Sequence, residues 1–254
     1  MLSLHSFASS SKGNSHAVIC ESGIILVDAG ISCKRIKQGL ESIGKSLDDV
    51  LGIVFTHSHI DHVSGFKVLS SECLPYVSRE LLSQLKSKCD RKFVYELQQN
   101  FDEGFKIGNV FVKPFEVMHD SDPTYGYTFE DEDNKVGVCT DIGMVTPNVE
   151  SSLMGCSEVI LESNYDPFML ETGPYPLDLI FRIKGDLGHL SNEESARLCE
   201  KLAKTGTNKI VLAHLSETNN RPELALEEVR KKLKGTNVEL SAMFVEEEFR
   251  DEKY

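Results

Sequence analysis

Residues 56–62 read Thr-His-Ser-His-Ile-Asp-His, so three histidines and one aspartate fall within six consecutive positions. The segment directly follows an apolar run that is typical of a buried strand. In an extended loop, His57 and His59 point to the same side, so both imidazoles can reach one ion. Asp61 and His62 follow where the chain turns into the next helix and can face a second ion. This density of histidine and carboxylate ligands predicts a metal site.

Four more polar side chains stand directly after segments that are typical of buried strands. They are His119 after 115–118, Asp141 after 136–140, His214 after 210–213, and Asp28 after 24–27. In layered α/β folds, catalytic groups are commonly held on loops at strand ends, where the sheet sets their distances. Each position taken alone is equally compatible with coincidence, so these residues are candidates that add to the histidine-rich segment.

The rest of the chain alternates between strand and helix patterns. The predicted strands are 16–20, 23–27, 51–56, 109–117, 125–130, 135–140, 158–161, 209–213 and 238–244. The predicted helices are 32–43, 79–88, a segment from the Ser191 cap to Gly206, and a segment from Pro222 to Leu233. No linker or break in composition divides them. We therefore expect one α/β domain over residues 1–254, with mixed sheets covered by helices.

The composition excludes several classes of protein. The chain has 254 residues, of which 40% are hydrophobic and 26% charged, so it is neither disordered nor fibrous. No window approaches the roughly 18 apolar residues of a membrane-spanning helix, and the start lacks the pattern of a secretion signal. The seven cysteines include no Cys-x-x-Cys pair. These features predict reduced thiols, no membrane partner and a cytoplasmic location.

The formal net charge is −13, which argues against a general binder of polyanions. Bound metal cations can offset part of that charge locally. A nucleic-acid substrate would need basic residues along the cleft, and the candidates are Lys12, Lys34, Arg35 and Lys37. The alternative is that these side chains belong to a solvated helix face.

The chain resembles the metallo-β-lactamase superfamily in five ordered motifs: Val27-Asp28-Ala-Gly30, His57-x-His59-x-Asp61-His62, His119, Thr140-Asp141 and Ala213-His214. The resemblance implies a four-layer αβ/βα sandwich, the metallo-β-lactamase fold, with two metal ions in the cleft between its sheets. It assigns His57, His59 and His119 to one ion, Asp61, His62 and His214 to the other, Asp141 to both, and Asp28 to the support of the histidine loop. Three imidazoles per ion suit zinc, and the carboxylates also tolerate manganese or iron.

Two further segments resemble the glutamate and histidine motifs of transfer-RNA 3′-processing enzymes and their relatives. They are Leu161-Glu162-Ser-Asn164 and Gly188-His189-Leu-Ser191. The resemblance implies that His189 protonates the leaving oxygen and that Glu162 orients it. The alternative is that His189 is an ordinary residue ahead of the Ser191 helix cap.

Residues 7–15, 187–192 and 214–220 are similar to the YycJ/WalJ group of compact bacterial hydrolases, which are described as 5′-to-3′ DNA exonucleases. The resemblance implies that the serine-rich loop lies near the cleft. There Ser10, Ser11, Lys12 and Asn14 could contact a phosphate of the substrate. The alternative is that this loop is a plain flexible turn.

Together these features predict a phosphodiesterase with two divalent metal ions, acting as a 5′-to-3′ exonuclease on single-stranded DNA. A bridging water with a lowered pKa would attack phosphorus, with Asp61, His189 and Glu162 as the catalytic side chains. One alternative is a hydrolase of a small phosphodiester or a thioester that uses the same hydroxide. Another is a metal-binding or partner-binding module without activity, although the presence of all seven candidate ligands argues against it.

Overall fold

The structure is a computed structural model that describes residues 1–89 and 91–243. Its strands are β1 (Ser3–Ala8), β2 (Ser15–Cys20), β3 (Gly23–Val27), β4 (Val50–Val54), β5 (Tyr76–Val77), β6 (Glu96–Leu97), β7 (Phe105–Ile107), β8 (Val110–Glu116), β9 (Tyr125–Glu130), β10 (Lys135–Cys139), β11 (Glu158–Glu162), β12 (Lys209–Ala213) and β13 (Glu239–Ala242). Its helices are α1 (Cys33–Ser42), α2 (Ile60–Val63), α3 (Phe66–Leu69), α4 (Arg79–Lys88), α5 (Pro147–Leu153), α6 (Pro167–Thr172), α7 (Leu177–Lys184), α8 (Asn192–Lys204) and α9 (Pro222–Lys232).

The strands form two large sheets and one small pair. The first sheet has the order β1-β2-β3-β4, antiparallel except for the parallel pair β3–β4. The second has the order β13-β12-β11-β10-β9-β8-β7. Its half from β10 to β13 is parallel, and its half from β7 to β10 is antiparallel. β5 and β6 form a separate two-stranded sheet.

Three apolar cores arrange these elements in four layers. The inner faces of the two large sheets share one core, in which Val18 and Ile25 of the first sheet join Tyr127 and Val138 of the second. A second core lies between the first sheet and helices α1, α3 and α4. The third lies between the second sheet and helices α5, α8 and α9. The helix-sheet-sheet-helix order confirms the predicted four-layer αβ/βα sandwich.

Several local predictions hold closely. β3, β9, β12 and α4 have the bounds that the apolar patterns indicate. Ser191 and Glu194 form the predicted capping box at the start of α8. Pro114 lies inside β8, which continues through it to Glu116. β7 pairs only with Val110–Val112, so the proline, which lacks an N–H, has no partner strand on that side of β8.

Other elements differ from the sequence patterns. The predicted strand 238–244 is a strand only over Glu239–Ala242, and residues from 244 lie outside the described part of the chain. β1, α6 and α7 were not predicted. All seven cysteines are buried and none forms a disulfide, as expected for reduced thiols. In the described ranges, the helices are too short or too polar to cross a bilayer.

Candidate metal centre

The predicted ligands converge where strands of the two large sheets end. Asp28 follows β3, the histidine-rich segment follows β4, His119 follows β8, Asp141 follows β10, and His214 follows β12. Asp28, Asp141 and His214 have φ values of +64°, +57° and +55°, which non-glycine residues adopt uncommonly. Such backbone conformations persist where the surrounding structure holds them in place, and they cluster at functional sites. Here they turn three side chains out of their strands and toward one centre.

The histidines and carboxylates form overlapping sets whose candidate ligand atoms lie within 4.8 Å of one another. The sets are His57, His59 and His119; His57, His62 and Asp141; Asp61, His62 and His214; and Asp141, Glu162, His189 and His214. The first and third coincide with the two ligand sets that the resemblance implies. The second and fourth sets both contain Asp141, so its carboxylate lies close to candidate ligand atoms of each set.

The carboxylate of Asp141 reaches histidines of both implied sites. Its Oδ1 atom is 3.7 Å from His119 Nε2 and 3.6 Å from His214 Nε2, and its Oδ2 atom is 3.2 Å from His62 Nε2. Burial opposes ionisation, but the surrounding histidines outweigh it and hold the pKa of Asp141 well below its usual value. The group is thus a carboxylate at neutral pH, as a shared ligand must be.

Several buried polar atoms of this cluster lack a hydrogen-bond partner. They include His57 Nε2, His214 Nε2 and Asp141 Oδ2. A buried polar atom left without a partner costs about 1–3 kcal/mol, so native proteins seldom leave several of them together. Imidazole and carboxylate are the ligands that zinc and similar divalent ions prefer. The cluster therefore fits divalent metal binding by its chemistry as well as by its spacing.

Asp28 supports the histidine loop from the interior. Its Oδ1 accepts the backbone N–H of Thr56 at 2.8 Å, and its Oδ2 accepts the Thr56 hydroxyl at 2.8 Å and lies 2.7 Å from His62 Nδ1. With Nδ1 donating, His62 turns Nε2 toward the cluster. Burial lowers the pKa of His62, but the carboxylates of Asp141 and Asp28 outweigh it and raise the pKa well above the ordinary value.

Glu162 orients two histidines with one oxygen. Its Oε1 lies 2.8 Å from His189 Nδ1 and 2.8 Å from His214 Nδ1. Its Oε2 accepts the backbone N–H groups of Ile142 at 2.7 Å and Leu190 at 3.1 Å. Burial disfavours the charged form, but the two histidines outweigh it and lower the pKa of Glu162 to about 2. The contact with His189 is the one that the motif implied, whereas the contact with His214 was not foreseen.

The serine-rich loop differs from the expected substrate surface. Asn14 is fully buried, and its amide lies 3.0 Å from His62 Nε2 and donates to the Ser10 carbonyl. Ser10 is also buried, so neither side chain offers an open surface to a substrate. Lys12 is exposed but forms an ion pair with Glu217. Of the four predicted contacts, Ser11 is the one that lines the cavity beside the cluster.

That cavity has a volume of about 200 Å³. The described residues lining it are Ser11, His119, Asp120, Asn164, Tyr175, Leu179, Arg182, Ile183, Gly188, His189, His214 and Ser216. Lys34, Arg35 and Lys37 belong to α1 and do not line it, and Lys37 pairs with Glu72. None of the four basic residues considered for a nucleic-acid cleft lines this cavity, in which Arg182 is the one lysine or arginine among the described residues.

Asp120 and Arg182 were missed by the sequence analysis. Asp120 Oδ1 is 3.3 Å from His119 Nε2 and 3.7 Å from His59 Nε2, and Arg182 donates to Asp120 Oδ2. The position of Asp120 directly after His119 was a usable signal. Arg182 carried none, because only the folding of α6 and α7 over the cluster brings it there.

A divalent-metal centre that lies at the carboxyl ends of strands from two facing sheets defines a metal-dependent hydrolase of the metallo-β-lactamase fold. Comparison with known proteins agrees, since residues 24–215 match the family described as "Beta-lactamase superfamily domain". The chain belongs to this superfamily and, within it, to the family of the YycJ and WalJ exodeoxyribonucleases. The resemblance inferred from the motifs is thus confirmed.

Two curated relatives match most of the chain. It is 33% identical to Exodeoxyribonuclease YycJ of Bacillus anthracis, across 86% of this chain and 84% of that protein. It is 32% identical to Exodeoxyribonuclease WalJ of Streptococcus pneumoniae, across 86% of this chain and 83% of that protein.

Solved structures share the fold at low sequence identity. The metallo-β-lactamase fold protein YhfI from Bacillus subtilis has a TM-score of 0.72 and 13% identity, with 94% of each chain covered. A diphosphatase from the PhnP family has a TM-score of 0.69 and 17% identity, with 97% of this chain and 98% of that chain covered. These two similarities establish the fold alone.

Proposed function

We propose that this protein is a 5′-to-3′ exonuclease that degrades single-stranded DNA with two divalent metal ions, zinc or manganese, with iron also suited to the ligands. The observation that carries the proposal is a complete ligand cluster beside which a buried carboxylate holds a histidine, Glu162 Oε1 being 2.8 Å from His189 Nδ1. The names of the YycJ and WalJ relatives support DNA as the substrate. A cytoplasmic location and a single domain over residues 1–254 stay predictions.

The ligand sets divide the cluster between two ions. His57, His59 and His119 would hold one ion, Asp61, His62 and His214 the other, and Asp141 would contact both. When bound, such ions supply a nucleophile from water near neutral pH and offset charge on the phosphoryl oxygens. Thr56 and Asp28 keep the imidazoles turned toward the centre, because their hydrogen bonds occupy Nδ1 of His57 and His62.

His189 is placed to move the proton that the leaving oxygen needs. Its side chain is 22% exposed at the wall of the cavity, and its Nδ1 is occupied by Glu162. When the ring carries a proton on both nitrogens, Nδ1–H stays on Glu162 and Nε2–H can pass to a departing alkoxide, as a general acid must donate it. Asp61 acts on the attacking water rather than on the leaving oxygen. Burial raises its pKa, but His214 and His62 outweigh burial and keep that pKa far below its usual value, so the group stays a carboxylate that can accept a hydrogen bond from the attacking water and orient it.

The second candidate is a hydrolase of a small phosphodiester or a thioester. Two observations favour it: the net charge of −13 and a cavity of only about 200 Å³. Such a substrate is small, so its binding does not require an extended, positively charged surface on the protein. The two candidates share the metal centre and differ in what the cavity admits.

The deciding experiment uses manganese-loaded protein and single-stranded DNA labelled at either the 5′ or the 3′ end. His59→Ala controls for contaminating nuclease, and His5→Ala is the matched control because His5 lies on β1, outside the ligand sets. We expect mononucleotides to be released from the 5′ end by the wild type and His5→Ala, and no release by His59→Ala. If the wild type is as inert on DNA as His59→Ala, the nuclease proposal is wrong. Hydrolysis of a cyclic nucleotide or a thioester would then support the second candidate.

A further inference from the structure

One wall of the cavity beside the metal centre is formed by a single short segment of the chain. Leu179, Arg182 and Ile183 lie on one face of α7 by their spacing, and Tyr175 precedes the helix. We name these four residues the α7 wall. His119, His189 and His214 lie on the cavity's metal side. A group that occupies the cavity therefore contacts both the ligands and the α7 wall.

We infer that the α7 wall is a subsite for the terminal nucleotide of the strand, with Arg182 as the residue that binds its 5′-phosphate. The inference rests on the proposed function and names the part of the substrate that the cavity takes. Tyr175, Leu179 and Ile183 supply an apolar surface for the sugar and base, and Arg182 supplies the charge.

The hydrogen bonds of Arg182 indicate an anion position next to the metal centre. Its Nε donates to Asp120 Oδ2 at 2.8 Å, and its Nη2 donates to the same oxygen. The other oxygen of Asp120 faces His119 and His59. The planar guanidinium fork normally binds two oxygens of one carboxylate or phosphate side by side. Here it converges on a single oxygen, so a phosphate with several free oxygens would satisfy its geometry better.

The charges around the cavity make Arg182 decisive for a phosphate. Within the described ranges it is the one lysine or arginine that lines the cavity, in a protein with a net charge of −13. Its side chain is 66% exposed, so it can turn from Asp120 to a substrate without breaking packed structure. Lys184 lies on the same helix but does not line the cavity, and it pairs with Glu171.

The size of the cavity favours the end of a strand over its middle. Pockets for drug-sized ligands occupy about 300–1,000 Å³, whereas this cavity has about 200 Å³. It can admit one small unit but offers no room for a strand that passes through. A terminal nucleotide meets both limits, so we expect release of single nucleotides rather than internal cleavage.

The test compares oligonucleotides that carry a 5′-phosphate or a 5′-hydroxyl group, using metal-loaded wild type, Arg182→Gln, Arg182→Lys and Lys184→Gln. We expect the wild type and Lys184→Gln to have a KM at least tenfold lower for the phosphorylated strand, because charge-assisted hydrogen bonds to phosphate are worth at least a factor of ten. Arg182→Gln should remove this difference with an unchanged metal content per chain. Arg182→Lys should retain part of it, since the charge remains and the fork is lost.

Equal phosphate discrimination in Arg182→Gln and Lys184→Gln would overturn the subsite. Failure of the proposed function is a separate outcome, since the wild type would then cleave neither strand. The subsite is in that case judged by inhibition of bis(p-nitrophenyl) phosphate hydrolysis by thymidine 5′-monophosphate. An inhibition constant at least tenfold weaker for Arg182→Gln than for Lys184→Gln supports it, and equal constants refute it.

Discussion

Replacing Glu162 with glutamine should weaken both metal binding and proton transfer. Four donors converge on this buried carboxylate: two backbone N–H groups on Oε2 and the Nδ1 atoms of His189 and His214 on Oε1. Glutamine has one oxygen, which the backbone donors would keep. Its NH₂ group would then face both Nδ1 atoms, which must become acceptors. The protons would move to Nε2, the atom that His214 offers to the cluster.

The size of the effect follows from these two contacts, each 2.8 Å long. Partners that orient a metal-binding histidine are worth about 10- to 100-fold in metal affinity, so Glu162→Gln should weaken metal binding by that factor through His214. A positioned acid or base contributes about 10²- to 10⁴-fold in rate. We expect kcat at saturating metal to fall within that range, because an Nδ1 atom that must accept a hydrogen bond cannot carry a proton together with Nε2, and a histidine acting as general acid needs both protons.

Metal affinity is measured by calorimetric titration, and kcat by single-nucleotide release at saturating metal. Glu158→Gln is the matched control, because Glu158 begins the same strand and contacts Leu4 and Lys209 away from the cluster. That variant should retain both quantities. If Glu162→Gln keeps its metal affinity within threefold and its kcat within tenfold, the orientation argument is refuted.

Three more predictions concern stability. When free metal is kept at about 100 times its Kd, removing it with a chelator should lower the free energy of unfolding by about 2.7 kcal/mol for each ion bound, and an unchanged Tm in calorimetry would contradict this. Gly30→Ala should lower that free energy by about 1–3 kcal/mol in urea unfolding, because its Cβ would lie 1.6 Å from the Asp61 carbonyl oxygen; wild-type stability would show that the loop yields freely. Burial lowers the pKa of His16 from 6.5 to about 3, so the unfolded chain binds its proton first and stability declines as pH falls from 6.5 toward 3. His16→Gln should reduce the slope of unfolding free energy against pH by about 1.4 kcal/mol per unit; equal slopes in the two proteins would refute this account.

The metal cluster could be predicted because its signal is local. His57, His59, Asp61 and His62 are neighbours in sequence, and strand periodicity alone places their loop at the end of β4. His119, Asp141 and His214 lie far apart in sequence, but each follows an apolar strand. The sheet then brings them together, as strand-end placement indicated.

The substrate side of the centre could not be predicted in the same way. The sequence places Asn14 in a loop, and only the packing of the folded chain shows that its amide is buried against His62. The segment that supplies Arg182 has Pro167, Pro174 and Pro176, and its helices are too short to produce a strong periodic pattern. Its contacts with the cluster are tertiary, so they leave no trace in the local sequence.

The α6–α7 segment has a consequence for how this protein can evolve. It has a small core of its own, in which Tyr165 and Leu170 pack with Ile180, and it contributes no member to the two implied ligand sets. Mutations there can reshape the cavity while the ligands on the strand ends stay untouched. Natural selection can therefore change substrate preference through this segment while the residues that carry out hydrolysis stay the same.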